Sequence, residues 1–488
     1  MTASRLLAPY FGTSLFVWTN IIAVIMSALA VGYWLGGKIS ERRPEMTFLL
    51  KIILIGGVLC FIIPFLIEPL SVYILSDLAL MSSASWVILF GSFFATVFVF
   101  FLPIMLLGMT SPYLIKIISL RHTDVGNVSG TIFAVSTIGS IIGTFLPSIV
   151  FIAWLGSKKT ILIFAVTLII VAALGLVNRR RFIYLGMLAF VAGPIFIPPS
   201  LRPEPNIILE TESVYQYIQV VEEGGVRSLK YNEGTGTQSV FVPDQFLTGH
   251  MYFDVMAASP ALFMQGELDV LNIGLAGGTA VRGMSYLFEG EKQINIEGVE
   301  IDNTIIQIAK KYFDLNLDNL KIYNQDGRIF ARSTEKKYDL ILVDAYSNQI
   351  YIPWHLTTDE FFRNIEAILK EKGVVALNLN STSEESGLFK ALTNTMAHNF
   401  NYVYSAPIPR TFNYIIFAAR EPIDFNILLD NQKVNENSSL VDLIQYLVEN
   451  QSIIRYNPEI ALLTDDCAPV EHLTDFMYWD YFVNLYQN

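Results

Sequence analysis

Only two cysteines occur in 488 residues, Cys60 inside an apolar run and Cys467 near the C-terminus, so neither a disulfide framework nor a cysteine metal site can be built. Charge is scarce too. Charged residues make up 16% of the chain against 53% hydrophobic, with a mean hydropathy of +0.46, which rules out a wholly soluble protein. No basic aromatic patch is present to follow phosphates, which argues against a nucleic-acid partner. A Lys-Ser/Thr phosphate loop is also missing, which argues against ATP. His250, His355 and His472 have no nucleophile motif beside them, so a hydrolase triad finds no support.

The charge that is present divides the chain. Residues 1–205 carry 13 Lys and Arg against 6 Asp and Glu, a net of +7, and residues 206–488 carry 19 against 38, a net of −19. The first half holds six apolar stretches long enough, or nearly so, for the roughly 20 residues a bilayer core demands of a helix. They are Phe16–Gly37, Thr47–Ile67, Trp86–Leu107, Thr131–Leu155, Thr160–Val177 and Phe182–Ile197. The first is no cleavable signal, since it lacks a small-residue cleavage site and further spans follow. Gly139, Ser140 and Gly143 lie at helical spacing and predict close helix approach, hence a packed bundle. Span centres are nearly free of ionisable groups, with Lys51 and Glu68 near the ends, which argues against an ion-coupled transporter and favours a scaffold or anchor in the lipid bilayer.

Sidedness gives two conflicting answers. If the spans alternate, Lys38, Arg42, Arg43, Lys116, Arg121 and Arg179 to Arg181 fall on one side, which should be cytoplasmic. A crossing by Phe182–Ile197 then puts everything after Pro205 on the far side, away from cytosolic cofactors. That segment is the shortest of the six and contains Pro194, so a re-entrant or interfacial course is the alternative.

After a Pro-rich linker (199–206) the pattern changes period. Short β-branched and aromatic runs broken by Glu-Gly-Gly at 223–225 and Gly-Thr-Gly at 234–236 predict a hairpin sheet over 207–250. Apolar strands then alternate with helical stretches: Val270–Ile273, Ile294–Val299, Leu320–Tyr323, Tyr338–Val343 and Gly373–Leu379. This is an α/β doubly wound domain with a mostly parallel sheet over 251–420, followed by an extension over 421–488.

Ligands of such sheets bind beyond the carboxyl ends of the strands. The first strand runs into Gly274-Leu275-Ala276-Gly277-Gly278-Thr279, a turn that lets backbone approach a ligand closely. The second ends at Glu300-Ile301-Asp302, 26 residues after Gly274, where an acid can accept from both hydroxyls of a ribose. The third leads to Asp326-Gly327, placed to accept from an exocyclic adenine amine, and the fourth ends at Asp344. Each acid taken alone reads equally well as a helix cap or turn residue. Four consecutive strand ends so equipped specify an adenosine-containing ligand.

These residues resemble the spermidine synthase (polyamine aminopropyltransferase) family in its membrane-fused form. Tyr215-Gln216, Gln238, Asp244 and Tyr252 resemble its substrate-side positions. Ile273 to Arg282, Val299 to Asp302, Asp326-Gly327 and Tyr338 to Asp344 follow its nucleoside-binding pattern, and Leu356 to Phe362 its next helix start. In the first half Arg5 to Gly12, Trp18 and Gly32 to Gly37 resemble fused transporter-like and synthase chains, as do Thr464-Asp465-Asp466 and Pro469-Val470-Glu471 near the end. Such relatives lead one to expect another apolar helix before Arg5.

The resemblance implies a transmembrane bundle, a small β-sheet and a Rossmann-like, class I methyltransferase-like synthase domain. It implies decarboxylated S-adenosylmethionine or S-adenosylmethionine as co-substrate, no metal, a small amine as acceptor and a homodimer. Gln216, Gly274, Ala276, Gly277, Gly278, Glu300, Ile301, Asp302, Asp326 and Gly327 would hold the nucleoside, and Gln238, Asp344 and Ser347 the acceptor. Asp344 with Tyr252 would do the chemistry. An alkyl amine, with a pKa of about 10, arrives protonated and must lose a proton before it can attack the carbon next to the sulfonium. Two expected acids are absent, with Gly277 in the first turn and Ser347 three residues after Asp344. That opens two alternatives to aminopropyl transfer to putrescine: methyl transfer to a membrane-delivered acceptor, and a binding protein without turnover.

Overall fold

The computed structural model describes residues 2–12, 14–78, 84–121, 124–176, 201–202, 205–232, 236–264, 266–346 and 350–487. The chain divides into two compact units, one of residues 1–204 with 210–217, the other of 205–209 with 218–488.

The first unit is helical. Among the described residues five helices are long and apolar enough to cross a membrane: Leu15–Arg42, Met46–Ile74, Leu89–Ser119, Val125–Leu146 and Leu155–Leu176. The sixth expected span, Phe182–Ile197, lies outside the described residues. The fourth helix starts and stops earlier than the apolar run Thr131–Leu155 suggests, because Asp124 caps it by accepting from Asn127 N, and a π-helical turn begins at Pro147.

Close packing occurs, but not where Gly139 and Gly143 predict it. A Cβ added at either glycine meets nothing within 4 Å, and helix Val125–Leu146 has no buried residue. The helices approach instead at Gly32, where a Cβ would lie 2.3 Å from Met105 O, and at Gly36, against Met109. Asn20 is the polar fastener of this bundle, donating to Leu89 O (2.7 Å) and Ser92 Oγ (2.9 Å). In the last long helix Gly156 leaves helical geometry at φ 78°, and Glu212 compensates by accepting from the Ser157 N–H (2.6 Å) and hydroxyl (2.7 Å).

A four-stranded sheet follows, in the order β1 (Ile207–Glu212), β2 (Tyr217–Glu223), β3 (Val226–Tyr231), β4 (Ser239–Phe241). The β2–β3 hairpin turns at Gly224 and Gly225, both at positive φ, as the two-residue connection requires.

The second unit is built on an eight-stranded sheet of order β12-β10-β11-β9-β8-β5-β6-β7. Its parallel part comprises β5 (Glu267–Ile273), β6 (Gln293–Glu300), β7 (Leu320–Asn324), β8 (Tyr338–Val343) and β9 (Leu369–Asn380), the five strands read from the sequence. The apolar runs of β5, β6, β8 and β9 are buried by two hydrophobic clusters, one on each face, as a helix-covered parallel sheet demands, and the edge strand β7 is partly covered. Three antiparallel strands extend it: β10 (Tyr402–Pro407), β11 (Asn413–Ala419) and β12 (Ser452–Ile454). The segment after residue 420 thus contributes a strand, and it adds Leu440, Leu443, Ile444 and Leu447 to one cluster and Val470 and Met477 to the other.

Candidate active site

Strands β8, β5, β6 and β7 lie side by side and point the same way, so Asp344, Gly274, Glu300 and Asp326 emerge along one carboxyl edge. The edge is tight. Gly274 donates its N–H to Val299 O (2.9 Å), and Asp344 donates its own to Ile273 O (2.9 Å). At φ 85°, Gly274 passes so close to the next strand end that a Cβ would lie 2.3 Å from Asp344 O, which only glycine permits.

Asp344 is the centre of a buried polar cluster. Tyr252, at the start of helix Tyr252–Ala258, donates its hydroxyl to Asp344 Oδ2 at 3.0 Å, and Asn378 donates Nδ2 to Oδ1 at 2.9 Å. Asn413 donates to Asn378 Oδ1 (2.9 Å), which fixes the amide with its NH₂ toward the carboxylate. Tyr346 is pinned between Asn378 O and the Asn380 N–H. Burial pushes the Asp344 carboxyl up to about 6, against the lowering pull of the Asn378 and Tyr252 hydrogen bonds. Burial first, and the charge of Asp344 next, hold the Tyr252 phenol far above its ordinary value, so it remains a donor. The result is a carboxylate oriented at both oxygens and more basic than a surface aspartate, suited to accepting a proton near neutrality.

Glu300 joins two strand ends. Its Oε2 accepts from Ala276 N (3.0 Å) in the glycine turn and its Oε1 from Asp302 N (3.0 Å). Burial raises its pKa, opposed by those backbone donors. Asp302 caps helix Asn303–Tyr312 through Oδ1, which accepts from Thr304 N at 2.9 Å. Its Oδ2 is buried with no hydrogen-bond partner among the described residues, a cost that a ligand hydroxyl would relieve. Beside it Ile301 leaves 39% of its surface exposed, an apolar face at the same edge.

The glycine turn is braced by the small sheet. Gly277 donates its N–H to Ser239 Oγ (2.8 Å), and Thr279 exchanges hydrogen bonds with Val240. A Cβ at position 277 would lie 2.7 Å from Ser239 Cβ and 3.0 Å from the Phe313 ring, so packing explains why no acid stands there. Ala276 and Gly278 both take positive φ, 46° and 80°, and Gly278 caps helix Thr279–Leu287.

Asp326 does cap a helix: its Oδ1 accepts from Arg328 N (2.9 Å) and Ile329 N (3.0 Å) at the start of helix Gly327–Ser333. Its Oδ2 lies 3.2 Å from His355 Nε2, a contact that pulls its pKa down. Gly327 packs against Ile273. Gln238 lies one residue before Ser239, its N–H bonded to Leu229 O. Gln216 belongs to the helical unit, where its N–H donates to Ser213 Oγ, and Ser347 lies outside the described residues.

Asn378, Asn413, Tyr346 and His355 escape a sequence reading that stops at the fourth strand end. Applying the same rule to β9 would have found Asn378, whereas Asn413 reaches it only through the antiparallel pairing of β11 with β9.

The sequence model of the "Spermine/spermidine synthase domain" family matches residues 249–427. Over this stretch the chain is similar to that family. Among curated proteins, a "Probable polyamine aminopropyl transferase" of Bifidobacterium longum is 35% identical over 286 residues, 55% of this chain. The chain spans 63% of that protein's length. A "Polyamine aminopropyltransferase" of Vibrio vulnificus is 29% identical over 57% of this chain and 94% of its own length. Among solved structures, spermidine synthase from Thermotoga maritima is 21% identical over 52% of this chain and 82% of its own, with a TM-score of 0.39. The matched stretch contains Tyr252, Asp344, Asn378 and Asn413 together with the glycine turn and the acids Glu300, Asp302 and Asp326. Among the described residues no group of three His, Cys, Asp or Glu is placed to hold a metal ion.

Asn378 should act through Asp344. Removing a hydrogen bond to a charged group costs about 1.5–3 kcal/mol, so Asn378→Leu should move the acid limb of the kcat/KM–pH profile upward by about one to two pH units. A merely structural role would lower activity and leave the midpoint near 6.

Proposed function

We propose that this chain is a membrane-integrated aminopropyltransferase that moves the aminopropyl group of decarboxylated S-adenosylmethionine to a small amine. The observation that carries the reading is the buried Asp344 carboxylate, held by Tyr252 and Asn378 at the carboxyl edge of the sheet. The five apolar helices of the first unit support the membrane setting.

The residues suit the nucleoside donor. Asp302 offers a buried, unpartnered carboxylate oxygen and Glu300 a buried carboxylate, both able to accept ribose hydroxyls. Ile301 and Asp326 are assigned to the adenine, and the backbone of Gly274 to Gly278 to the aliphatic chain. In the reaction the protonated amine first gives one proton to Asp344, and the neutral nitrogen then forms a bond to the carbon next to the sulfonium. The carbon–sulfur bond breaks with its electron pair going to sulfur, giving methylthioadenosine and a protonated secondary amine. Tyr252 and Asn378 keep the accepting oxygens aimed, and neither has to change protonation state.

A second reading, methyl transfer from S-adenosylmethionine, is favoured by Gly277, where an acid would otherwise hold the donor's terminal amine. One assay separates the two. Full-length protein in detergent is given each donor with a panel of amines, and the nucleoside product is identified by mass spectrometry. Methylthioadenosine that depends on the amine supports aminopropyl transfer. S-adenosylhomocysteine replaces it with the second reading, and neither product from either donor overturns both.

A further inference from the structure

A cavity of about 540 Å3 opens at the other end of the sheet from Asp344, where β6 begins and the chain turns into β7. Arg282 lines it from helix Thr279–Leu287 and is 94% buried, its relative exposure being 6%. Its guanidinium carbon lies 4.5 Å from the Phe241 ring and 5.3 Å from the Phe246 ring. Ring faces attract the charge but cannot replace acceptors for five N–H donors set in one plane. Among the described residues no hydrogen-bond acceptor or ion-pair partner meets this guanidinium directly; burial lowers its pKa, and the Asp314 carboxylate, acting through space, opposes that.

A buried guanidinium whose donors meet no acceptor of the protein is costly, and natural structures pair such groups. Here acceptors can reach it from the cavity side. Lys292 adds a second cation to the lining, its ammonium donating to Phe263 O. Glu289 and Asp318 line the cavity too, but both are exposed, so solvent and salt screen them while Arg282 is shielded. The planar fork of a guanidinium matches carboxylate and phosphate oxygens two at a time.

We propose that this cavity is a binding site, separate from the transfer site, for a small oxyanion whose oxygens take the unmet donors of Arg282. Carboxylate and phosphate share that chemistry, so the test treats them as separate arms. Full-length protein in detergent is titrated calorimetrically with inorganic phosphate and with acetate, at ionic strength held constant with chloride. At least one anion should bind saturably, at one site per chain. Arg282→Met, which keeps an apolar stem beside the two rings, should weaken it about tenfold or more. Gln293→Glu, at an exposed lining position, places a negative charge in the cavity and should weaken it severalfold even if Arg282→Met fails to fold. Absence of saturable binding of both anions overturns the proposal, as does unchanged affinity in whichever variant folds.

Discussion

Asp344→Asn should cut turnover by about 100- to 10,000-fold, the range of general base catalysis, while donor affinity stays within a fewfold. The amide can accept from Asn378 and donate to the Tyr252 hydroxyl, so the cluster of the wild-type protein is conserved in shape. What is lost is an oxygen that can take a proton. The same substitution should make the protein more stable at neutral pH. The folded carboxyl titrates near 6 and the unfolded one near 3.8, so between these values the folded state holds a proton that the unfolded chain releases. Stability from this group is therefore complete below about 4 and is lost as pH rises through 6, at a cost of about 3 kcal/mol once both states are ionised. Thermal unfolding from pH 4 to pH 8 should show a higher midpoint for the variant at the alkaline end and a flatter dependence throughout. Full activity in Asp344→Asn would falsify the proton-acceptor role, and lost donor binding would place the residue on the nucleoside instead.

Glu300→Gln is expected to do the reverse, lowering donor affinity by about 10- to 100-fold. Both oxygens of Glu300 receive backbone N–H groups, one from the glycine turn and one from Asp302. A glutamine turns one of those contacts into donor facing donor in a buried site, a loss of about 1–3 kcal/mol, and unsettles the turn against which the donor lies. Calorimetric titration with the donor checks the affinity. Turnover measured at saturating donor should change much less than affinity does, because the proposal assigns Glu300 to the nucleoside and Asp344 to the amine. Equal affinity in Glu300→Gln and wild type would remove Glu300 from the donor site.

The parallel strands were legible because doubly buried strands are nearly continuous apolar runs, and the strand-end rule then picked out Asp344, Glu300, Asp302 and Asp326 without any homologue. Tyr252 entered through a resemblance and lies within hydrogen-bond reach of Asp344. Periodicity could not show which carboxylate oxygen is spent on a cap, so Asp302 and Asp326 read alike, though one keeps a buried free oxygen and the other is engaged by His355. Nor could it show Asn413, whose place depends on antiparallel pairing of β11 with β9. Small-residue spacing misled at Gly139 and Gly143 because spacing says that a helix can be approached closely and not that a neighbour is there, whereas Gly32 and Gly36 have one.

Glu212 has a practical meaning for anyone who wishes to excise the second unit. A cut at the prolines looks natural, yet residues 210–217 belong with the helices: Glu212 holds the Ser157 amide and hydroxyl, and Arg5 grips the Ser213 carbonyl at 2.7 Å. A fragment starting at residue 207 would take those groups away from their partners and turn the Glu212 carboxylate out to solvent.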